Sequence, residues 1–322
     1  MNTPPDYCVV VTDHGFADLA EERRVLEPAG CTLAEARCRT AEEVAVAARD
    51  ADALLVQWAP VTAGVIATLD RVKVVVRYGI GVDNVALDAA RRAGIPDCNV
   101  PDYCVDEVAD HTLALALALG RQLAGIDRRT RDGVWKLAPV TPMPAFREMR
   151  FVTVGFGRIA RAVLSRARPF GFRLGAYDPY VPEDTIGAGG VEPVPGDRLF
   201  EEADVLSLHL PLTPETRHFV GAAELGRMKP ASILVNTSRG LLVDTGALAR
   251  ALQAGVLAGA GLDVFETEPL PVDHPLRRCE TALLTSHVAW YSEQSVPRLQ
   301  RMAAEEVLRA LRGEPLRNQV NG

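Results

Sequence analysis

The chain has 322 residues, 48% of them hydrophobic, enough for about two domains of ordinary size with a core each. A net charge of −7 argues against a nucleic-acid binder or a membrane-surface protein, since either would display a basic face. The six cysteines, at 8, 31, 38, 98, 104 and 279, form no Cys-x-x-Cys pair and no Cys/His metal spacing, so reduced thiols in the cytoplasm are expected, with neither disulfides nor a metal site.

Residues 1–5 run directly into a strand-like segment at 7–11, without the basic and apolar regions of a secretion signal. The longest apolar run, 113–119, is far short of the ~20 residues that span a bilayer. Strand candidates at 8–11, 53–56 and 72–76 alternate with helical patterns at 19–26 and 41–48, the rhythm of a parallel α/β sheet. The pattern breaks near Pro101. Residues 105–124 then read as one long helix, apolar on most sides. A lone histidine there, His111, is of the kind usually satisfied by packing, and no role is assigned to it. From Arg150 onward six strand candidates follow at 151–154, 173–177, 205–208, 233–236, 259–263 and 282–284. A last helical pattern begins after Ser292.

Between the strand at 150–154 and its helix lies Gly155-Phe156-Gly157-Arg158-Ile159-Ala160. Its first glycine allows a tight turn, its second lets the backbone approach a pyrophosphate, and Ala160 satisfies the small-residue requirement for helix–sheet packing. Such a turn alone is a weak signal, but the next strand ends at Asp178, close to the ~20-residue distance at which a carboxylate binds an adenosine ribose. A carboxylate there repels a ribose 2′-phosphate, so the cofactor expected is NAD rather than NADP.

Functional residues of such sheets lie just beyond the carboxyl ends of the strands. Three late strands lead into Arg239, Glu268 and His287 respectively. Each alone reads as a surface cation, a turn residue or a satisfied imidazole; their common placement beside a cofactor turn points to chemistry instead.

These motifs, with the segment 207–217, Asn236 to Gly240 and residues 261–265, together resemble the D-isomer-specific 2-hydroxyacid dehydrogenases over the whole chain. Residues 77–84 and 287–294 resemble most the C-terminal-binding-protein branch, which includes NAD-binding corepressors as well as bacterial enzymes. The resemblance implies two Rossmann-like, doubly wound parallel-sheet domains. A cofactor domain (101–290) would be inserted into a flavodoxin-like substrate domain (1–100 plus 291–322), with the last helix closing the latter and the cleft holding the trio.

It also implies a hydride transfer between NAD and C2 of a small 2-hydroxy or 2-oxo acid, with Arg239, Glu268 and His287 catalytic. The chemistry is coherent: reduction builds negative charge on the carbonyl oxygen and needs a proton donor, and an imidazole's unperturbed pKa of ~6.5 lies near working pH. Glu268 would orient the ring and favour imidazolium. Arg239 offers a planar fork to the carboxylate or carbonyl.

For the substrate, the resemblance implies the backbone of Gly79, Ile80 and Gly81, with Arg77 and Trp290 nearby; Arg77 reads equally as an outward cation and Trp290 as an apolar plug. Ile80 stands where lysine is expected for phosphite oxidation, which demotes that reaction. For the cofactor it implies Arg158 on the pyrophosphate, Leu210, Pro211 and Thr216 around adenosine, Thr237 and Ser238 toward the ribose, and Asp263 on the nicotinamide carboxamide. A homodimer built on the helix from Val105 and the segment 134–144 is implied as well. An NAD(H)-sensing, corepressor-like binding protein remains the alternative function.

Overall fold

A computed structural model describes residues 7–136 and 142–322; residues 1–6, with the amino-terminal reading above, and 137–141 of the segment at 134–144 lie outside them. The chain divides into two compact units, Met1–Cys104 with Tyr291–Gly322, and Val105–Trp290. Both are parallel α/β structures.

The first unit holds a five-stranded sheet made of β1 (Tyr7–Val11), β2 (Cys31–Glu35), β3 (Ala53–Val56), β4 (Val75–Arg77) and β5 (Asp97–Cys98), in the order β2-β1-β3-β4-β5. This is a flavodoxin-like order. β3 is apolar at all four positions and wholly buried, as a central parallel strand covered on both faces must be. Three elements were hard to read from sequence. β5 has two residues, too few to show a period. The edge strand β2 buries only Cys31 and Leu33 among more polar neighbours. The segment expected as a strand at 72–76 joins the ladder only at Val75, opposite Leu54. The long helix Ser295–Leu311 belongs to this unit and packs on the helix Ala20–Leu26, where Gln300 Nε2 donates to the buried Glu22 at 3.0 Å. Glu22 in turn accepts from Tyr78 Oη at 2.7 Å, which ties the loop after β4 to both helices.

The carboxyl-terminal residues line the outer edge of β5: Val320 N donates to Asp97 O at 2.8 Å, and Asp97 N donates to Asn321 Oδ1 at 2.8 Å. Burial pushes the Asp97 carboxyl up to about 7, against the lowering pull of the Cys98 amide and the Arg77 charge. Between about pH 4 and pH 7 the folded chain therefore keeps a proton that the unfolded chain has released, so stability falls as pH rises through that window. At about 1.4 kcal/mol per unit, the penalty above pH 7 amounts to a few kcal/mol. Asp97→Asn removes it, and the expected result is a melting temperature about 5 °C above wild type at pH 8. The difference should vanish near pH 4; a variant less stable than wild type at pH 8 would refute the account.

The second unit holds seven parallel strands: β6 (Arg150–Val154), β7 (Arg173–Tyr177), β8 (Glu192–Pro193), β9 (Val205–Leu208), β10 (Ile233–Asn236), β11 (Gly259–Leu262) and β12 (Ala282–Leu284). Their order is β12-β11-β10-β9-β6-β7-β8, so the direction of winding reverses beside β6, where doubly wound folds bind their ligand. Six of these strands match the sequence expectation to within a residue, and β8 is a two-residue edge that gave no signal. Apolar layers cover both faces, one centred on Val152, Leu206 and Leu248, the other on Phe151, Val163 and Val235.

The helix expected at 105–124 is a correction. It runs Val105–Gly120, and a separate helix, Leu123–Arg131, follows. Gln122 takes a left-handed backbone (φ 51°), which a continuous right-handed helix cannot contain, so the first helix ends before it. Only Asp106, Asp110 and Ala114 of the first helix are exposed. The second buries none of its residues. No helix among the described residues is long and apolar enough to cross a membrane. Five of the six cysteines are buried and Cys8 is half-buried.

Candidate active site

Register builds the site. Val154 pairs with both Tyr177 and Leu208, Leu208 with Asn236, Asn236 with Leu262, and Leu262 with Leu284. The residues that follow, namely Gly155, Asp178, His209, Thr237, Asp263 and Thr285, therefore form one row along the carboxyl edge of the sheet. Sequence motifs scattered over some 130 positions become neighbours because parallel strands all end on the same side.

At the switch point, Gly155 has φ 101°, and a Cβ on it would stand 2.6 Å from the His209 carbonyl, so only glycine fits. Gly157 differs: its φ is ordinary at −69°, and a Cβ there would meet nothing within 4 Å. The protein itself has no steric need of a glycine at that position; a ligand lying against the backbone does. Gly157 begins the ten-residue helix Arg158–Ala167, whose first turn has no side-chain cap, leaving amides at the positive end of its dipole for an anion. Arg158 is exposed on that turn, Ile159 is half-buried, and Ala160 is fully buried against the sheet. Asp178 accepts from Phe156 N and Tyr180 N, both at 2.9 Å, one on each carboxylate oxygen. Each oxygen keeps a lone pair for a diol. The residues present thus fit a dinucleotide.

Around the neighbouring loop, Thr216 Oγ1 donates to Pro211 O at 2.8 Å and Leu210 packs on the core. His209 is no acid–base candidate, since burial pushes it down to about 3 and its Nε2 lies 2.9 Å from Ser207 Oγ.

Arg239, Glu268 and His287 follow β10, β11 and β12. Arg239 is half-buried; its Nη1 donates to Ser238 O at 2.7 Å, and its own carbonyl accepts from Asn236 Nδ2 at 2.8 Å. Ser238 Oγ donates to Leu208 O at 2.7 Å, and Thr237 Oγ1 lies 2.8 Å from Thr112 Oγ1, so this turn is locked on both sides. Glu268 Oε2 is 2.7 Å from His287 Nδ1, while its Oε1 accepts from Phe265 N at 2.9 Å. Burial alone would raise the Glu268 carboxyl. The hydrogen bond and charge of His287, the Phe265 amide and the Arg239 charge outweigh it and hold the group below the usual carboxylate range. The charge of Arg239 thus reaches the dyad.

His287 has a left-handed backbone (φ 55°), uncommon for any residue but glycine, and the hydrogen bonds of its turn hold it there. Its amide donates to Asp263 O at 2.8 Å, and its carbonyl accepts from Trp290 Nε1 at 2.8 Å. Trp290 is half-buried on this turn. Asp263 is fully buried: Oδ1 accepts from Thr285 Oγ1 at 2.6 Å and Val288 N at 3.0 Å, and Oδ2 from Ala289 N at 2.9 Å. It is an internal support of the histidine turn. Sequence reasoning did not find that role, nor the part of Thr285 and His111 in it; a threonine closing a strand two residues before the histidine was the only signal.

The remaining predicted residues lie in the first unit. Gly79 has φ 136°, with the Arg77 guanidinium folded over the place where a Cβ would be, so Arg77 is half-buried rather than a plain outward cation. The Gly79 amide bends back to Arg77 O at 2.9 Å. Val100 N holds Gly79 O at 2.9 Å and Asn99 Nδ2 holds Ile80 O at 2.7 Å. No group of three or more His, Cys, Asp or Glu among the described residues could hold a metal ion.

A dinucleotide turn at the switch point, followed by an arginine and a bonded Glu–His pair on successive strands, invites comparison with known dehydrogenases. The family model for the D-isomer specific 2-hydroxyacid dehydrogenase NAD binding domain matches residues 113–289. The chain belongs to this family. It is 42% identical to a glyoxylate reductase of Korarchaeum cryptofilum over 277 residues, 85% of this chain and 83% of that protein. It is 36% identical to a D-3-phosphoglycerate dehydrogenase of Methanocaldococcus jannaschii, covering 97% of this chain but only 59% of that protein. A D-lactate dehydrogenase of Aquifex aeolicus, solved with NAD and lactic acid, is similar with a TM-score of 0.85 and 27% identity over 95% of this chain and 96% of that one. The protein is therefore an NAD-dependent 2-hydroxyacid dehydrogenase.

Proposed function

We propose that this dehydrogenase reduces a small 2-oxo acid, glyoxylate being the first to try, to the D-2-hydroxy acid, with Arg239, Glu268 and His287 as its catalytic residues. The observation that carries this reading is the 2.7 Å contact between His287 Nδ1 and Glu268 Oε2 at the carboxyl edge of the dinucleotide-binding sheet. When bound, NADH supplies the hydride. With Nδ1 engaged by Glu268, His287 Nε2 is the nitrogen left to protonate the developing alkoxide. Arg239 takes the carboxylate or carbonyl oxygen, where its planar fork binds two oxygens at once.

The other assignments are part of the same proposal. Gly155, Gly157, Arg158, Ile159 and Asp178 hold pyrophosphate and ribose; Leu210, Pro211, Thr216, Thr237 and Ser238 line the rest of the cofactor. Asp263, whose Oδ2 has one donor, is assigned to the carboxamide, which requires the fully buried carboxylate to open to the ligand on binding. Arg77, Gly79, Ile80, Gly81 and Trp290 serve the substrate. The domain limits 1–100 with 291–322 and 101–290, a cytoplasmic location and kinship with the C-terminal-binding-protein branch also belong here. For a homodimer, support comes from Leu123, Ile126, Val134 and Trp135, all exposed, on and just after a helix that buries none of its residues.

The test is NADH oxidation with glyoxylate, pyruvate, hydroxypyruvate and 4-methyl-2-oxovalerate. Turnover of at least one acid is expected, with kcat/KM about tenfold or more in favour of NADH over NADPH, because the Asp178 carboxylate repels a 2′-phosphate. Equal use of NADPH would remove Asp178 from its role, and no turnover with any acid would refute the substrate class.

Glu268→Gln provides a separate check on the dyad. The amide keeps an acceptor for Nδ1 but removes the negative charge held 2.7 Å from the ring. The kcat for reduction should fall about tenfold or more with KM for NADH nearly unchanged, and an unchanged kcat would show that Glu268 does not act through His287.

A further inference from the structure

Behind the His287 turn lies a polar chain of which the reaction above uses only Asp263. It begins at His111, on the helix Val105–Gly120, whose Nε2 is 3.0 Å from Thr285 Oγ1. Thr285 Oγ1 is 2.6 Å from Asp263 Oδ1, and His111 Nε2 itself is 3.7 Å from the same oxygen. Hydrogen-bond balance sets the direction. A buried carboxylate accepts only, so the single hydroxyl proton of Thr285 goes to Asp263, and the hydroxyl oxygen accepts from His111 Nε2–H. His111 is the donor that starts the chain.

The far end of the chain is the turn that carries the proton donor. Asp263 accepts from the amides of Val288 and Ala289, the two residues after His287, and its backbone carbonyl accepts from the His287 amide. Three successive amides thus converge on one residue, and they do so around a left-handed, non-glycine backbone at His287. A conformation of that kind persists only where its surroundings over-determine it. The orientation of the ring toward Glu268 follows from the backbone, so a loose Asp263 means a loose dyad.

We propose that His111, Thr285 and Asp263 form a brace that holds the His287 turn in its left-handed conformation, making His111 and Thr285 positioning residues for proton transfer. Thr285 aligns the Asp263 carboxylate, and His111 fixes the rotamer of the Thr285 hydroxyl. Neither touches the reacting atoms. The inference rests on the reading of His287 as the proton donor.

The decisive variants are Thr285→Val, which keeps the shape and removes the hydroxyl, Thr285→Ser, which restores it, and His111→Gln at the half-exposed end of the chain. With NADH and glyoxylate, Thr285→Val should lower kcat about 10- to 100-fold while KM for NADH stays within about threefold, the split of an interaction felt only in the chemical step. Thr285→Ser should recover most of the rate. His111→Gln, able to donate through its amide, should fall between the two. A second readout needs no turnover: in 15N-histidine-labelled protein, the His287 ring-nitrogen resonances, assigned by their absence in His287→Gln, should move or broaden in Thr285→Val and return in Thr285→Ser.

Wild-type kcat in Thr285→Val, or unchanged His287 resonances in a folded Thr285→Val, would overturn the brace. So would failure of serine to rescue either readout. If the wild-type protein turns over no 2-oxo acid, the proposed reaction fails while the resonances still decide for or against the brace.

Discussion

Arg239→Ala is expected to lower kcat/KM for 2-oxo acid reduction by about three orders of magnitude, with both the substrate KM and kcat contributing. The size follows from what the guanidinium is asked to do. It meets an anion that exists in the ground state and a second charge that grows on the carbonyl oxygen during hydride transfer, in a half-buried position where such interactions are stronger than in water. Its position is set before substrate arrives, by the Ser238 carbonyl at 2.7 Å and by Asn236, which grips the Arg239 carbonyl. Little reorganisation is then needed on binding. Arg239→Lys keeps the charge but presents a point in place of a fork, so it should regain only part of the loss. Steady-state kinetics on both variants decide the matter. Activity of the alanine variant within about tenfold of wild type would exclude Arg239 from the site.

His287→Ala should have the second large effect, a fall in kcat of about 10² to 10⁴, the range over which a positioned general acid contributes. Binding of NADH should be nearly untouched. The contrast with Arg239→Ala is the informative part: one variant loses substrate affinity and rate together, the other loses rate alone. A kinetic isotope effect with NADH deuterated at the transferred position should rise in His287→Ala if the chemical step becomes limiting. A variant whose kcat stays close to wild type would pass the proton donor's role to another group. Of the nearby histidines, His209 cannot take it, because burial holds it at about 3.

The trio was legible in the sequence because strand ends are. β10, β11 and β12 are short, apolar and bounded, and the polar residue after each stands out against them. The glycine turn and Asp178 were legible for the same reason. The end of the first long helix was not: apolar residues stand on both sides of Gly120, at Leu119 and Leu123, and the break is the left-handed backbone of Gln122, which no local pattern announces. The two-residue strands β5 and β8 lie below the length at which any period can be recognised. Asp263 was legible as a polar residue at a strand end, but its burial and its three amide and hydroxyl donors depend on residues from the next strand and turn.

By itself, the order of residues determined that two parallel α/β units are built, that a dinucleotide turn opens the second, and that an arginine, a carboxylate and an imidazole follow three of its strands. These are consequences of local patterns: hydrophobic periodicity, glycine at a turn, and polar residues where apolar runs end. Tertiary structure alone decided what holds the imidazole. Register brought Asp263, Thr285 and His287 side by side, packing of the Val105–Gly120 helix added His111, and together these keep a histidine in a backbone conformation that its own neighbours in sequence would not choose. The physical reason is range: propensities act over a few residues, whereas the orientation of a proton donor is set by hydrogen bonds between groups far apart along the chain.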